Sequence, residues 1–440
     1  MNIIESAISE LSRKINDLRL MGIPPFIPRN TEVLSAPRLV SVLAGPRRCG
    51  KTFRTYQEIS QLIDSNWLAG IEHVCAIDFD NPHFSKLSAT DLGTMRDTFL
   101  GMTQSANLRM NLLFVFDEIH RIEGWEEFVV DLSRNVSWRV MVTGSSSRLL
   151  VSDISTSLRG KSIATTLYPL SFIEYLRFRD IEPIDSTVGR AAVKAAFSEY
   201  LEWGGFPQVA QTQLRVREAL LREYFDTMIL KDIIQRHNIT RPRQCIALYR
   251  YLLSLIGKPY TLNSALKYLR QSGTPATASH IADYAGWADD AWFLFGAPVF
   301  TDSQAEIDRN YRKCYCVDWA LAIQNSQVWD GTYSRAFENL IYMHLRRTYP
   351  RVNYYLTRRQ RREVDFICID SHGKPLTAVQ ACLKIGDGSV LDRELPGLVS
   401  SAKYFGITNA LVVTMEEERI IELDGVRVRI VPAWRWMVEE

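Results

Sequence analysis

The chain has 440 residues, 46% of them hydrophobic, with 52 basic and 50 acidic side chains and a formal net charge of +2. That length favours two to four domains and excludes a single small module, while the near balance of charge excludes a global field that would force a nucleic-acid or membrane partner. Seven scattered cysteines, an odd number, are unlike the paired framework of a secreted domain, so a reducing cytoplasm is expected.

In chain order, MNIIESAISELSRKINDLRL has the pattern of an amphipathic helix rather than a secretion signal, and with the proline-punctuated GIPPFIPRN it fills residues 1–30. No apolar run approaches the roughly 20 residues that span a bilayer, so no membrane partner is expected. RLVSVLAGPRRCGKT then carries an apolar strand into a glycine-bounded loop, and HVCAIDFD, NLLFVFDE and WRVMVTG are further strands separated by helical patterns. This alternation predicts a mostly parallel sheet flanked by helices over 31–168. Residues 169–242 read as a helical lid, interrupted by the turn at Gly204–Pro207. Gly204 and Gly205 serve that turn, because no lysine follows and no strand feeds them. Helices followed by short apolar strands over 243–325, including AWFLFGAPVF and YRKCYCVDWAL, fit a winged helix. Residues 326–440 switch to a helix near 334–347, the strands NYYLT, REVDFICID and LTAVQACLKI, a helix near 391–405 and ALVVTM, a separate α/β domain. The expected class is multidomain α/β.

GPRRCGKT, Gly45 through Pro46, Arg47, Arg48, Cys49 and Gly50 to Lys51 and Thr52, matches the phosphate-binding loop at every required position between a predicted strand and a predicted helix. Gly45 and Gly50 let the backbone curl so that successive N–H groups point at phosphate oxygens, helped by the positive end of the following helix. Lys51 is expected on the β and γ phosphates of ATP, and Thr52 and Asp117 on Mg²⁺. Asp117 ends an apolar strand, which puts it at the carboxyl edge of the sheet beside the loop. Glu118 follows as the carboxylate that orients and polarises the attacking water, the reason to expect hydrolysis as well as binding. Thr143 or Ser145 in VTGSSS could sense the γ-phosphate, or simply form a serine-rich turn. His120 reads as a surface or capping residue outside the site. Cys314 and Cys316, with one residue between them, alternate on a strand and hold no metal.

These motifs, followed in order by VFDEIHRIEGWEEFVVDL, VTGSSSRLL, SLRGKSI, YPLSFIEYL, WGGFP, YFDTMILKDIIQRHNI, FENLIYMHLRR, REVDFI and AVQACLKI, resemble prokaryotic AAA-type ATPases that carry a C-terminal domain of unknown function 4143. The likeness runs along nearly the whole chain. It implies an ATPase core, a winged-helix element and a C-terminal fold like that of restriction endonucleases. The family pattern has Gly-Arg where this chain has Gly160-Lys161, with Arg159 just before. Arg159 is the candidate catalytic finger, which would require a homo-oligomer or a partner to present it in trans; the alternative is an arginine packed on its own domain.

The nuclease-like reading takes Glu338, Asp365 and Gln380 as candidates for the acidic groups that hold Mg²⁺ in such enzymes. Glu338 flanks the apolar stripe Phe337, Leu340, Ile341 and Leu345, and period-two alternation puts Gln380, Cys382 and Lys384 on one strand face. The acid position reads Gln380 and the lysine position Cys382, and Lys384, one pleat further, about 7 Å along the strand, could substitute only with a shifted substrate. A neutral glutamine brings one carbonyl and no charge, so a degenerate, non-cleaving domain is expected over a nuclease. Arg346, Arg347, Arg351, Arg358, Arg359, Arg361 and Arg362, interleaved with Tyr354 and Tyr355, are either a DNA-binding surface or a solvated charged hairpin. The recognition-helix candidate TASHIADYAGWADDA is acidic, which argues for a protein contact over the major groove. The expected activity is an Mg²⁺-dependent ATPase switch that binds DNA or a partner protein, the alternative an ATP-regulated DNA nuclease of a defence or mobile-element system.

Overall fold

The computed structural model describes residues 3–103, 110–145, 158, 160–301, 303, 307, 311–326, 333–357, 362–385 and 389–439. The chain divides into two units, Met1–Tyr168 and Pro169–Glu440.

The first unit opens with helix α1 (Ile3–Met21), whose Ala7, Leu11 and Ile15 recur at helical spacing and are buried in the core of the unit. Strand β1 (Val40–Ala44), α2 (Lys51–Asp64), β2 (Val74–Asp78), α3 (Ala89–Met102), β3 (Leu112–Asp117), α4 (Trp125–Ser133), β4 (Trp138–Gly144) and β5 (Ser162–Thr166) follow. The five strands form a sheet of order β2-β3-β4-β1-β5 in which every pair is parallel. Burial on both faces explains why β1 and β3 read as continuous apolar runs instead of alternating. The polar β5, SIATT, lies at the sheet's edge and carries no apolar pattern that announces a strand. β4 lies between β1 and β3, and all three end on one edge of the sheet, with Leu43 opposite Thr143 and Phe116 opposite Val142.

The second unit begins with helices α5 (Phe172–Phe178), α6 (Thr187–Trp203), α7 (Pro207–Gln211) and α8 (Leu214–Thr227), the last running into a π-helical stretch over Met228–Gln235. Gly204 turns the chain after α6 at φ 76°, and the buried Asp318 carboxylate accepts from the Gly205 N–H at 2.7 Å. Next come α9 (Pro242–Leu253), β6 (Pro259–Tyr260), α10 (Leu262–Gln271), α11 (Ala278–Asp290), β7 (Leu294–Ala297) and β8 (Arg312–Cys316). Their three strands pair antiparallel in the order β6-β8-β7.

After α12 (Trp319–Asn325), helix α13 (Ser334–Thr348) buries Phe337, Leu340, Ile341 and Leu345. The strands β9 (Arg351–Leu356), β10 (Glu363–Ile369) and β11 (Pro375–Ala381) form an antiparallel meander. Helix α14 (Ser389–Phe405) leads to β12 (Asn409–Thr414), which returns parallel to β11. Then β13 (Arg419–Leu423), β14 (Val426–Pro432) and α15 (Ala433–Glu439) complete a six-stranded sheet of order β13-β14-β12-β11-β10-β9. β11 ends at Ala381, three residues before Lys384, so strand alternation does not carry Lys384 onto the face of Gln380. Tyr354 and Tyr355 are buried, Tyr354 donating to the Tyr311 carbonyl at 2.7 Å, which removes them as base-stacking platforms. Among the described residues no helix is long and apolar enough to cross a membrane.

Candidate functional site

β1 delivers the chain to Gly45, and α2 starts at Lys51. A Cβ on Gly45 would lie 2.0 Å from the Leu167 carbonyl oxygen, and Gly50, the cap of α2, takes φ 97°, so both places demand glycine. Arg48 also sits at positive φ, 65°, which tightens the loop. The buried Lys51 donates to the carbonyls of Gly45 at 3.0 Å and Pro46 at 3.1 Å, and its ammonium is 3.7 Å from Glu118. Thr52, in the first turn of α2, donates to Asp117 Oδ2 at 2.6 Å. Thr143, on the strand between, donates to Asp117 Oδ1. One carboxylate is thus held by hydroxyls from the loop helix and from β4.

Glu118 adopts φ 54°, a left-handed conformation that costs about 1–3 kcal/mol for a residue with a Cβ and turns the chain sharply at the end of β3. Its carboxylate accepts from the Ser145 N–H and hydroxyl, both at 3.3 Å, and faces His120 Nδ1 at 3.4 Å. Burial opposes ionisation of Glu118, but Lys51, His120 and Arg47 outweigh it and hold the pKa at about 2. Burial and the neighbouring Glu118 push Asp117 the other way, upward, against the hydrogen bonds from Thr143 and Thr52. Adjacent carboxylates with divergent proton affinities are suited to different tasks. Arg47 reaches Asp80 at 3.4 Å, and Arg121 pairs with the same carboxylate. Cys49 is buried and its thiol is pushed up by that burial, so it serves the loop's packing and not as a nucleophile. Arg159 lies outside the described residues.

His120, which the sequence leaves outside the site, stands against Glu118. Arg29 is a second omission. Buried in the proline-rich link, it donates to the Cys49 carbonyl at 2.7 Å and the Tyr168 carbonyl at 2.8 Å, while its own N–H and carbonyl pair with the Gln57 side chain. A lone arginine in a link has no periodicity to mark it. Arg29→Ala would leave two carbonyls without their donor, at about 1–3 kcal/mol of stability, and loosen the loop. Nucleotide titration is expected to show roughly tenfold weaker ATP binding alongside a lowered melting temperature; an unchanged affinity would reduce Arg29 to a purely structural tie.

In the second unit Glu338 on α13, Asp365 on β10 and Gln380 on β11 come together, around a residue the sequence did not single out. Lys313 on β8, 1% exposed, places its ammonium 2.8 Å from Glu338, 2.6 Å from Glu363 and 3.0 Å from Asp365. Tyr315 donates to Glu338 at 2.7 Å, the Ala381 N–H to Asp365 at 3.0 Å, and the Asp365 N–H to the Gln380 side-chain oxygen at 3.2 Å. Glu338, Glu363, Asp365 and Gln380 themselves line a cavity, which the exposed Lys384 lines with Arg362 and Arg393. Of the remaining arginines, Arg347 donates to the carbonyls of Pro169 and Leu170, and Arg346 stacks 4.2 Å from the Phe295 ring. Arg351 is exposed at the start of β9; Arg358, Arg359 and Arg361 lie outside the described residues.

Residues 37–176 match the model of a family described as AAA domain, and residues 194–329 match a domain of unknown function (DUF8612), a different domain from the one the sequence resembles. The chain is 26% identical to the uncharacterized protein MJ1544 of Methanocaldococcus jannaschii, over 96% of this chain and 93% of that one. It is 22% identical to an uncharacterized protein of Haemophilus influenzae, over 90% and 94%. Among solved structures, the Aeropyrum pernix ORC1 protein in complex with DNA overlays at TM-score 0.28 and 14% identity, over 73% of this chain and 91% of that one. CDC6p from Pyrobaculum aerophilum overlays at 0.24 and 13%, over 76% and 93%. Such low scores establish no shared fold. The loop between β1 and α2, the carboxylate pair ending β3 and the matched family together make residues 37–176 a P-loop ATPase domain of the AAA kind.

Proposed function

We propose that the chain is an Mg²⁺-dependent ATPase switch, in which nucleotide state in the first unit governs how the second unit binds DNA or a partner protein. The observation that carries the reading is the pairing of Thr52 with Asp117 and of Lys51 with Glu118 at one edge of the parallel sheet. Backbone N–H groups of the loop and the N-terminus of α2 suit the phosphates, and Lys51 would exchange its carbonyl partners for phosphate oxygens. Thr52 and Asp117 would hold Mg²⁺, which would screen the phosphate charge; Thr143 orients Asp117 from the neighbouring strand. Released from Lys51, Glu118 would remain placed by Ser145 and His120 to orient water. Arg159 remains the proposed trans-acting finger, and with it a homo-oligomer or partner.

For the second unit, three helices with the β6-β8-β7 sheet support a winged helix. The helix, antiparallel meander, helix and parallel strand formed by α13, β9–β11, α14 and β12 support a restriction-endonuclease-like domain. Gln380 in an acid position supports a domain that does not cleave. The test measures ATP turnover with and without DNA, with plasmid integrity followed in Mg²⁺. DNA-stimulated turnover on an intact plasmid is expected. Cleavage abolished by Asp365→Ala would replace this reading with the ATP-regulated nuclease, and turnover indifferent to DNA, without salt-sensitive DNA binding, would leave the partner protein as the switch's target.

A further inference from the structure

A restriction-endonuclease-like domain implies a divalent cation among its acidic groups, and here the residues do not fit one. An Mg²⁺ ion needs several oxygens at 2.0–2.1 Å in octahedral geometry. Glu338 Oε1 already accepts from Lys313 and Tyr315, Asp365 Oδ1 from Lys313, and Asp365 Oδ2 from the Ala381 N–H. The Gln380 oxygen accepts from the Asp365 N–H, and its amide group donates to Glu394 at 2.9 Å. Among the described residues no group of three or more His, Cys, Asp or Glu side chains is disposed to hold a metal ion. We infer that the Lys313 ammonium is the resident cation of this cluster, standing where the nuclease-like fold would place a metal and fastening β8 to α13 and β10.

The contact distances of 2.6–3.0 Å are those of charge-assisted hydrogen bonds. A dication entering between the same oxygens would have to displace a buried ammonium with which it shares its sign of charge. β8 brings the lysine through strand alternation, which sets Lys313 and Tyr315 on one face so that both reach Glu338. The cluster is thereby converted from a place for chemistry into a joint between the three-stranded and six-stranded sheets. This inference rests on the nuclease-like reading of the second unit and not on the ATPase reading.

The test counts Mn²⁺ bound to the full chain without nucleotide, by electron paramagnetic resonance of free Mn²⁺, with ATP turnover measured on the same samples. Wild type and Asp365→Asn are expected to bind alike, since no Mn²⁺ sits at the cluster. Lys313→Met is expected to gain one Mn²⁺ site that wild type lacks, and to lose it again when Asp365→Asn is added. Wild-type Mn²⁺ that disappears in Asp365→Asn overturns the inference, as does a folded Lys313→Met protein that gains no site. If Lys313→Met does not fold, the comparison of wild type with Asp365→Asn decides alone. Turnover separates the readings: a wild-type chain that hydrolyses no ATP, with Mn²⁺ counts in the variants as expected, refutes the first unit's assignment and leaves Lys313 where it is.

Discussion

Glu118→Gln is expected to bind ATP and retain it, with turnover lowered roughly 10²- to 10⁴-fold, the range for a residue that orients or activates the attacking group. The substitution keeps the side chain's shape and its contact with Ser145, so binding through the loop survives. It removes the charge that faces Lys51 at 3.7 Å and His120 at 3.4 Å. Lys51→Ala is expected to do the opposite, losing affinity before chemistry, because the ammonium is the buried cation of the loop. Binding of a fluorescent ATP analogue and single-turnover hydrolysis separate the two. Rapid turnover by Glu118→Gln would end the assignment. Burial raises the Glu118 pKa, but Lys51, with His120 and Arg47, outweighs it and holds it at about 2 against an ordinary 4.5. Its stabilising contribution is therefore complete above about pH 4.5 and is lost as the pH falls towards 2. Any loss of stability between pH 5 and 7 must come from other groups.

What the sequence reveals about this site follows from how local its signals are. Gly45, Gly50, Lys51 and Thr52 lie within eight residues, and their roles follow from one strand-loop-helix geometry. Asp117 and Glu118 are legible because an apolar run ends on them. Ser145 and His120 also lie near those motifs in the chain, but their value depends on the left-handed turn at Glu118, which no pattern announces. Arg29 acts across 20 residues to Cys49 and 139 to Tyr168, contacts with no periodicity at all. In the second unit the same contrast recurs. The apolar stripe marks α13, and alternation marks β10. The run at 379–385 suggests a longer strand than forms: the last bond to β12 is from the Cys382 N–H to the Val413 carbonyl at 2.8 Å, and Ile385 is buried beyond the end of β11. Lys313 is hidden by its surroundings: flanked by Arg312 and Cys314 in a short strand, it reads as an ordinary surface lysine until Glu338, 25 residues on, and Asp365, 52 residues on, close around it.

Lys313→Met is expected to destabilise the second unit by about 3–5 kcal/mol, the cost of removing one partner from a buried ionic cluster. Methionine fills much of the same volume, so the loss is not chiefly a cavity. It arises because Glu338 and Asp365 keep their positions against α13 and β10 while losing the charge that compensates their desolvation. Tyr315 and the Ala381 N–H remain as donors, which is too little for two carboxylates. Adding Glu338→Gln and Asp365→Asn to Lys313→Met is expected to recover most of the loss, since a buried ion cluster replaced as a whole by neutral groups is often close to neutral in stability. Urea unfolding of wild type, Lys313→Met and the triple variant, followed by fluorescence with the first unit's transition assigned by added nucleotide, measures this. A Lys313→Met chain as stable as wild type, with no divalent cation present, would mean that water reaches the carboxylates freely, and that the lysine is an ornament of the cluster instead of its counter-charge.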